Sequence, residues 1–169
     1  MTDVFVERSW DVPVKGAELA AMFEAARECL ATHRCEWQGS FLSVDAKELF
    51  CHFVGPDAES LRVALHQPGS PRARVWSGTI HDAPGCSAAD EPGANVLVTR
   101  RFEAATAFED AGGGSLATPG VRLVRSWFST DGKRMLCLYR APGVEAVRTA
   151  QRQAAMPVER VLSVRALHG

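Results

Sequence analysis

Two residues capable of metal binding or proton transfer, Cys51 and His52, stand side by side in an apolar segment, residues 49–54. A cysteine sulfur and an imidazole are both transition-metal ligands, and an imidazole titrating near neutral pH can serve as a general base. Consecutive side chains of a strand point to opposite faces of a sheet, so one ion cannot easily bind both. The alternative is structural, because free cysteines are usually buried and a histidine can be buried with its hydrogen bonds satisfied.

Charged residues within predicted strands form a second group of candidates. Glu7 and Arg8 end the first predicted strand, where a carboxylate in an apolar cavity could transfer protons and the same charges could also be solvated. Arg125 alternates with apolar residues, which predicts that its guanidinium is either paired or binds an anion. The catalytic candidates are therefore His52, Glu7 and Arg125.

Basic and aromatic side chains on the other predicted strands could contact a ligand, although such aromatic residues more often belong to the core. The ligand-binding candidates are Arg8, Trp37, Arg100, Trp127 and Tyr139. His66 could join Cys51 and His52 as a metal ligand. It could instead end the second predicted helix, where an imidazole interacts favourably with the helix dipole.

Composition excludes several classes of function. The formal net charge is −1 and the basic residues are scattered, so no nucleic-acid partner and no membrane partner are expected. We find no signal-peptide pattern, no apolar run that spans a bilayer and no phosphate-loop or hydrolase motif. The five cysteines form no CxxC pair, which predicts a cytoplasmic protein with free thiols.

An internal repeat is the strongest pattern in the sequence. Residues 30–77 align without a gap to residues 116–163 with 17 identities in 48 positions, against about three expected by chance. The segment "VFVERSW" at residues 4–10 also corresponds to "VLVTRRF" at residues 96–102. We predict a first repeat over residues 1–82, a linker over 83–95 and a second repeat over 96–169.

The order of predicted elements in each repeat is β-α-β-β-α-β, the split βαβ arrangement of a ferredoxin-like unit. In the first repeat "DAKE" is predicted to form a hairpin turn, and Asp57 is predicted to cap the second helix. The glycine-rich segment "EDAGGGSLATPG" predicts a short first helix in the second repeat. A four-stranded sheet with helices on one face leaves the other face bare. The fold class is therefore predicted as α+β, with tandem repeats packed as a pseudo-dimeric α/β-barrel.

Three stretches resemble a known family: "FVER" at the start, "LFC" with its following Pro, Glu and Arg, and "SWFSTDGKRMLCLYRAPGVEAVRTAQRQAAMPVERV". The chain is similar to the nickel-binding-protein-like family of small ferredoxin-fold domains, in two tandem copies, the second being the clearer match. The resemblance implies a ferredoxin-like fold and binding of nickel or another divalent transition metal. The family's histidine after the first strand is replaced here by Ser9 and Trp10.

Two hypotheses of function follow. The first is a small soluble binding protein that takes a divalent transition metal such as nickel or a small apolar ligand between the two sheets. The second is a cofactor-independent enzyme, isomerase-like or monooxygenase-like, with a cavity between the repeats. A third option makes the second repeat purely structural, and a homodimer is compatible with either function.

Overall fold

A computed structural model describes residues 1–67, 72–112 and 118–167, and within them the fold is mixed α/β, as predicted. The strands are β1 (Thr2–Ser9), β2 (Glu36–Ser43), β3 (Glu48–Gly55), β4 (Ala73–Asp82), β5 (Val96–Arg101), β6 (Arg122–Ser129), β7 (Arg134–Arg140) and β8 (Arg160–Leu167). The α-helices are α1 (Gly16–Thr32), α2 (Ala58–Ala64) and α3 (Val144–Gln153), and 3₁₀ helices cover Ala88–Gly93 and Phe108–Asp110.

The chain divides into two compact units. The first unit comprises Met1–Gly78 and Leu167–Gly169, and the second comprises Thr79–Ala166. The repeat boundaries and the linker inferred from the sequence remain a prediction. The segment predicted as a linker contains one of the 3₁₀ helices, Ala88–Gly93.

The sheet of the first unit is antiparallel, with the strand order β4-β1-β3-β2. Cys51 and its pairing partner Val6 belong to the core cluster that the helices cover. Side chains alternate along a strand, so the residues at every second position share this face. The helices supply Leu19, Ala26, Leu30 and Leu61 to this core. Cys51 is therefore a core residue of the helix-covered face.

Local signals account for the start of α2 and for the hairpin in this unit. Asp57 Oδ1 accepts a hydrogen bond from the backbone N–H of Ser60 at 2.7 Å, which confirms the predicted cap of α2. The predicted turn between β2 and β3 is also confirmed: the Asp45 carboxylate accepts hydrogen bonds from the Ser43 hydroxyl at 2.6 Å and the Lys47 N–H at 3.1 Å.

The sheet of the second unit has the same neighbour relations, in the order β8-β5-β7-β6. Helix α3 corresponds to α2, and Ser129, Asp131 and Lys133 reproduce the hairpin turn. Between β5 and β6 the described residues hold only the three-residue 3₁₀ turn Phe108–Asp110, where the first unit has the long helix α1. Residues 113–117 of the glycine-rich segment lie outside the described residues, as do the repeat position Pro71 and the terminal His168.

Both sheets bury apolar side chains on the face opposite their helices as well. In the first unit these are Phe5, Phe41, Phe50 and Trp76, and in the second unit they are Leu97, Leu136, Leu138 and Trp127. The central strands β1, β3, β5 and β7 carry apolar residues on both of their faces, because neither face of either sheet is fully solvated.

Candidate functional site

His52 lies on the face of the first unit's sheet that is opposite the helices. It pairs with Phe5 across the β1–β3 ladder, and the two rings stack with centroids 5.1 Å apart. The His52 Nε2 atom is 2.8 Å from Asp3 Oδ1, and the His52 side chain is only 16% exposed. The carboxylate thus fixes the orientation of a half-buried imidazole, an arrangement found in general bases as well as in ligand-binding histidines.

Glu7 lies on the same face as His52, two pairs further along the same ladder, opposite Phe50. Its Oε1 atom accepts a hydrogen bond from Trp76 Nε1 at 3.2 Å, and its Oε2 atom pairs with Arg74 Nη1 at 3.1 Å. The Glu7 side chain is 11% exposed. Two of the three catalytic candidates, His52 and Glu7, are therefore brought together by the fold.

Aromatic rings surround these polar groups. The Trp76 ring lies 4.6 Å from the Phe5 ring between centroids, and Phe50 is the ladder partner of Glu7. We call this surface the His52 face, defined by Asp3, Phe5, Glu7, Phe50, His52 and Trp76. It combines an aromatic wall of largely buried rings, tilted against one another, with one imidazole and two carboxylates, which suits a small molecule with an apolar body and one hydrogen-bonding group.

Asp3, Phe5, Phe50 and Trp76 are members of this face that were not among the candidate site residues predicted from the sequence. Asp3 precedes Phe5 and Glu7 with the strand period of two, which places all three on one face. Their proximity to His52 follows only from the register of β1 against β3 and β4. The alternation of side chains along the strand was therefore the available signal, and it does not predict which residues pair across neighbouring strands.

Cys51 faces away from His52, into the core beneath the helices. It accepts a hydrogen bond from the Ser40 hydroxyl at 2.8 Å, and burial raises the pKa of the Cys51 thiol to about 12. Full burial also keeps the thiol away from solvent, so Cys51 remains protonated and unreactive at neutral pH. Arg8, on the same face, has its pKa lowered by burial.

The three predicted metal ligands do not converge. His66 is exposed just beyond the end of α2, while Cys51 and His52 lie on opposite faces of the sheet. Within residues 1–67, 72–112 and 118–167, no three side chains of His, Cys, Asp or Glu lie close enough together to hold an ion. His52 and Asp3 supply two donors, fewer than a nickel centre needs. The described residues therefore do not fit the metal that the resemblance implies.

Arg125, the third catalytic candidate, is paired with acids of the second unit. Its Nε atom lies 2.5 Å from Asp82 Oδ1 and its Nη1 atom lies 2.7 Å from Glu91 Oε1. The hydrogen bonds and charges of these acids raise the pKa of Arg125 against the opposing effect of burial. Of the two sequence-based options, paired or anion-binding, the structure shows the paired one.

The remaining ligand-binding candidates lie in separate places. The Trp37 ring packs at a tilt against Phe23 of α1, with ring centroids 5.0 Å apart, and lines a groove of about 1100 Å³ beside that helix. Trp127 is buried on the helix-free face of the second unit's sheet. Arg8 is buried on the helix-covered face of the first unit. None of these three belongs to the His52 face.

Arg100 and Tyr139 meet in the core of the second unit. The Arg100 Nη2 atom donates to the Tyr139 hydroxyl at 3.3 Å and to Gln151 Oε1 at 2.6 Å, while Gln151 Nε2 donates to the Tyr139 oxygen at 3.1 Å. Burial is the largest cause that raises the pKa of Tyr139 to about 12. Gln151 was not predicted, although the repeat aligns it with the apolar Leu65, which marks its position as buried.

The second unit matches a known family. Residues 97–164 match the family of proteins described as nickel responsive protein SCO4226-like. The family resemblance predicted from the sequence is confirmed over these residues. The match to the nickel-responsive family covers less than half of the chain and does not include the His52 face. A search of the curated proteins gave no match.

Solved structures share the fold at low sequence identity. An anthrone oxidase-like protein is 10% identical with a TM-score of 0.57, over 99% of this chain and 92% of its own. A provisionally assigned monooxygenase from Lactobacillus acidophilus NCFM is 10% identical with a TM-score of 0.46, over 99% of this chain and 94% of its own. A provisionally assigned chlorite dismutase is 11% identical with a TM-score of 0.49 over the same shares. Only the first of these likenesses is strong enough to support the fold, and none of them assigns an activity.

None of the helices in the described part of the chain combines the length and the apolar character needed to cross a bilayer. The longest, α1, runs from Gly16 to Thr32 and carries charged residues throughout.

Proposed function

We propose that the chain binds a small, largely apolar molecule on the His52 face, with His52 and Asp3 supplying its polar contact. One observation carries this proposal: a hydrogen-bonded His52–Asp3 pair lies 2.8 Å apart within an aromatic wall. The His52 side chain is 16% exposed and the Asp3 side chain 36%, so the desolvation cost falls mainly on the imidazole, which adds less stability there than an apolar side chain of equal size would. Such a pair is therefore more readily explained by a ligand than by folding.

The second unit supports this interpretation by contrast. At the positions that correspond to Phe5 and His52 it has Leu97 and Leu138, both fully buried. The equivalent sheet position thus tolerates an aliphatic residue without loss of the strand. The histidine is not required by the architecture of the sheet.

A second function is favoured by the same pair. Asp3 orients the imidazole, and Glu7 lies on the same face two ladder pairs away, so the face could remove a proton from a carbon acid without a cofactor. In that case the His52 Nε2 atom would accept the proton and the Asp3 carboxylate would stabilise the resulting imidazolium. The binding function and the proton-transfer function share one site and differ only in whether a bound molecule is changed.

We also infer that the two units arose by duplication of one ferredoxin-like unit and pack as a pseudo-dimeric α/β-barrel. Each sheet has large apolar residues buried on its helix-free face, and a solved structure resembles nearly the whole chain with a TM-score of 0.57. Covering an apolar sheet face with a second copy of the same unit is the simplest way to bury it.

The test uses two probes of nearly equal shape, 1-naphthol and naphthalene, with binding followed by tryptophan fluorescence. We expect both to bind the full chain saturably. His52→Leu introduces the residue found at the corresponding position of the second unit. It should weaken the binding of 1-naphthol by about tenfold, because one hydrogen bond to a charged pair is lost, and leave the binding of naphthalene nearly unchanged. The control is His33→Leu, which removes a histidine at the end of α1.

Several outcomes contradict the proposal. Absence of saturable binding of either probe would do so, as would equal weakening by His52→Leu and His33→Leu. The proton-transfer function is tested in D₂O, where it predicts protein-dependent exchange of ring hydrogen in 1-naphthol, measured by NMR and lost in His52→Leu. Binding without such exchange would leave the binding function and remove the catalytic one.

A further inference from the structure

The buried charge of Arg100 has no acidic partner. Its side chain is in the core of the second unit at 1% exposure, and its three hydrogen-bond acceptors are the neutral oxygens of Pro157, Gln151 and Tyr139. Among the described residues, none of the ion pairs involves Arg100. A buried cation without a counter-charge is costly, so natural proteins usually pair it or use it to hold an anion.

The network also has more hydrogen-bond donors than acceptors. The Arg100 Nε–H is buried with no acceptor in the described part of the chain. The Tyr139 oxygen receives hydrogen bonds from Arg100 and from Gln151, and its own O–H finds no described acceptor. Because burial keeps this phenol protonated, with a pKa of about 12, its proton remains available to donate. Unused donors around a buried cation are complementary to an acceptor that carries negative charge.

A cleft of about 550 Å³ opens next to this network, between α3 and the start of β8. We call it the α3 cleft; its wall includes Arg148, Gln151, Arg152, Met156, Arg160 and Leu162. Gln151 links the two features, because it lines the cleft and also binds both Arg100 and Tyr139. Pro157, whose carbonyl accepts from Arg100 at 2.6 Å, lies between two residues that line the cleft.

The cleft wall carries charges of both signs. Of the described lining residues, three are arginines and one is an acid, Glu159, and Arg148 is ion-paired with Glu145. The Glu159 carboxylate accepts a hydrogen bond from the Thr99 hydroxyl at 3.1 Å, and Arg152 donates to the Thr149 hydroxyl at 3.3 Å, so both have neutral partners. The charge that favours an anion here is therefore the buried Arg100 cation, to which Gln151 connects the cleft.

We propose that the α3 cleft binds a small organic anion that joins one carboxylate to an apolar chain. The carboxylate is held between Gln151 and the arginines of the wall, with the charge of Arg100 directly behind it. The apolar chain lies against Met156, Val158 and Leu162. This site is on the second unit and is independent of the His52 face.

Octanoate is the probe, with octanol and inorganic phosphate as the comparison molecules, and calorimetry on the full chain is the measurement. Octanoate should bind with a stoichiometry of one at this cleft. Octanol lacks the charge and phosphate lacks the apolar chain, so each should bind about tenfold more weakly or worse. Equal affinity of octanoate and octanol, or of octanoate and phosphate, overturns the proposal.

Variants locate the site. Gln151→Glu places a carboxylate of nearly the same shape beside Arg100, which satisfies the cation internally, and it should reduce octanoate affinity by about tenfold or more while the protein stays folded. Arg152→Gln should weaken the binding of octanoate by about tenfold, because one charge-assisted contact is lost. Arg165→Gln removes an equal charge from an exposed position of the same unit, outside the cleft, and is the matched control.

Two results would show that octanoate does not bind in the α3 cleft as proposed. If octanoate binds Gln151→Glu as tightly as it binds the wild type, the anion does not use the charge of Arg100. If Arg165→Gln weakens binding as much as Arg152→Gln does, the effect is general electrostatics rather than a contact in the cleft. Circular dichroism of each variant shows whether the fold is retained.

Discussion

The two units share their strand order and their hairpin turns but differ in the polar groups buried on equivalent sheet faces. In the first unit the helix-free face holds His52, Asp3 and Glu7. In the second unit the helix-covered face holds Arg100 with its partners Tyr139 and Gln151. The same architecture therefore supports two different polar networks, although the opposite face of each sheet also buries one arginine, Arg8 in the first unit and Arg125 in the second.

The helix-covered faces show how few substitutions separate the two patterns. Arg8 and Arg100 occupy corresponding positions. Arg8 lies two residues after Val6, which pairs with Cys51, and Arg100 lies two residues after Val98, which pairs with Cys137. The partners of Arg100, Tyr139 and Gln151, correspond in the repeat to Phe53 and Leu65. Both units thus bury an arginine at this position, and the hydrogen-bonded network around Arg100 differs from the surroundings of Arg8 by one added hydroxyl and one added amide.

The largest effect is expected when the second unit's network is given the residues of the first unit. The double variant Tyr139→Phe, Gln151→Leu leaves the Arg100 cation buried with one carbonyl partner, so it should lower the free energy of unfolding by about 3 kcal/mol. Urea unfolding monitored by circular dichroism measures the change. The control Gln153→Leu makes the same amide-to-leucine change at an exposed position of α3 and should cost less than about 0.5 kcal/mol.

A small effect of the double variant would contradict the comparison. It would mean that Arg100 is satisfied by other groups once its partners are removed, and that the network is not the feature that separates the two units. A loss equal to that of the Gln153→Leu control would carry the same meaning.

An intermediate effect is expected at alkaline pH, where each unit has a buried group whose pKa is raised to about 12; burial also raises the pKa of Cys35 in the first unit. The pKa of Cys51 in the first unit and the pKa of Tyr139 in the second are both raised to about 12, with burial as the largest cause. A raised pKa in the folded state stabilises the protein below the unfolded-state pKa, and this stability is lost as pH rises toward the folded-state value. Each group can contribute a fall of at most about 1.4 kcal/mol per pH unit.

The two groups should separate along the pH axis. An unfolded cysteine ionises about one to two pH units before an unfolded tyrosine, so the loss of stability begins with Cys51 and steepens when Tyr139 joins it. Cys51→Ala should remove the early part of the fall, and Tyr139→Phe should remove the later part. Urea unfolding between pH 8 and pH 11 measures both slopes, with the exposed Cys29→Ala as the control. An unchanged slope in Cys51→Ala would show that this thiol does not limit alkaline stability.

Much of the local structure could be predicted from the sequence because it depends on short-range chemistry. The cap at Asp57 and the turn at Asp45 need only neighbouring donors, and the opposite orientations of Cys51 and His52 follow from strand alternation. The pairing of His52 with Asp3 depends on strand register, which spans 49 residues of sequence. Gln151 was missed because an amide on an amphipathic helix usually faces solvent, and only its alignment with Leu65 indicated burial.

The metal hypothesis shows the same limit at the level of function. Histidine and cysteine in one short segment indicate ligand chemistry, but a metal centre requires convergence from several elements. Cys51 and His52 are adjacent in the chain and lie on opposite faces of the sheet. The chemical type of each side chain can be read from the sequence, whereas what the side chain can bind depends on the direction in which it points.

The smallest effect is expected where the units are most alike, at the two hairpin turns. Ser43 and Ser129 donate to Asp45 and Asp131 at the same distance, 2.6 Å. These serine hydroxyls are the first cause that lowers the pKa of both carboxyls, followed by the backbone N–H groups of Lys47 and Lys133. A lowered folded-state pKa means that the stabilisation is present above the unfolded-state pKa and disappears as pH falls below it.

Asp45→Asn and Asp131→Asn should therefore each lower the free energy of unfolding at pH 7 by less than about 1 kcal/mol, because both turns are exposed. The two losses should be equal within error, since the donors and distances match, and both should vanish in unfolding experiments at about pH 3 or below. A clearly larger loss of unfolding free energy at one turn would show that the residues shared by the two repeats contribute differently to stability in the two units. Equal losses would instead place the divergence of the units in the polar groups buried on their sheet faces, where His52 and Arg100 lie.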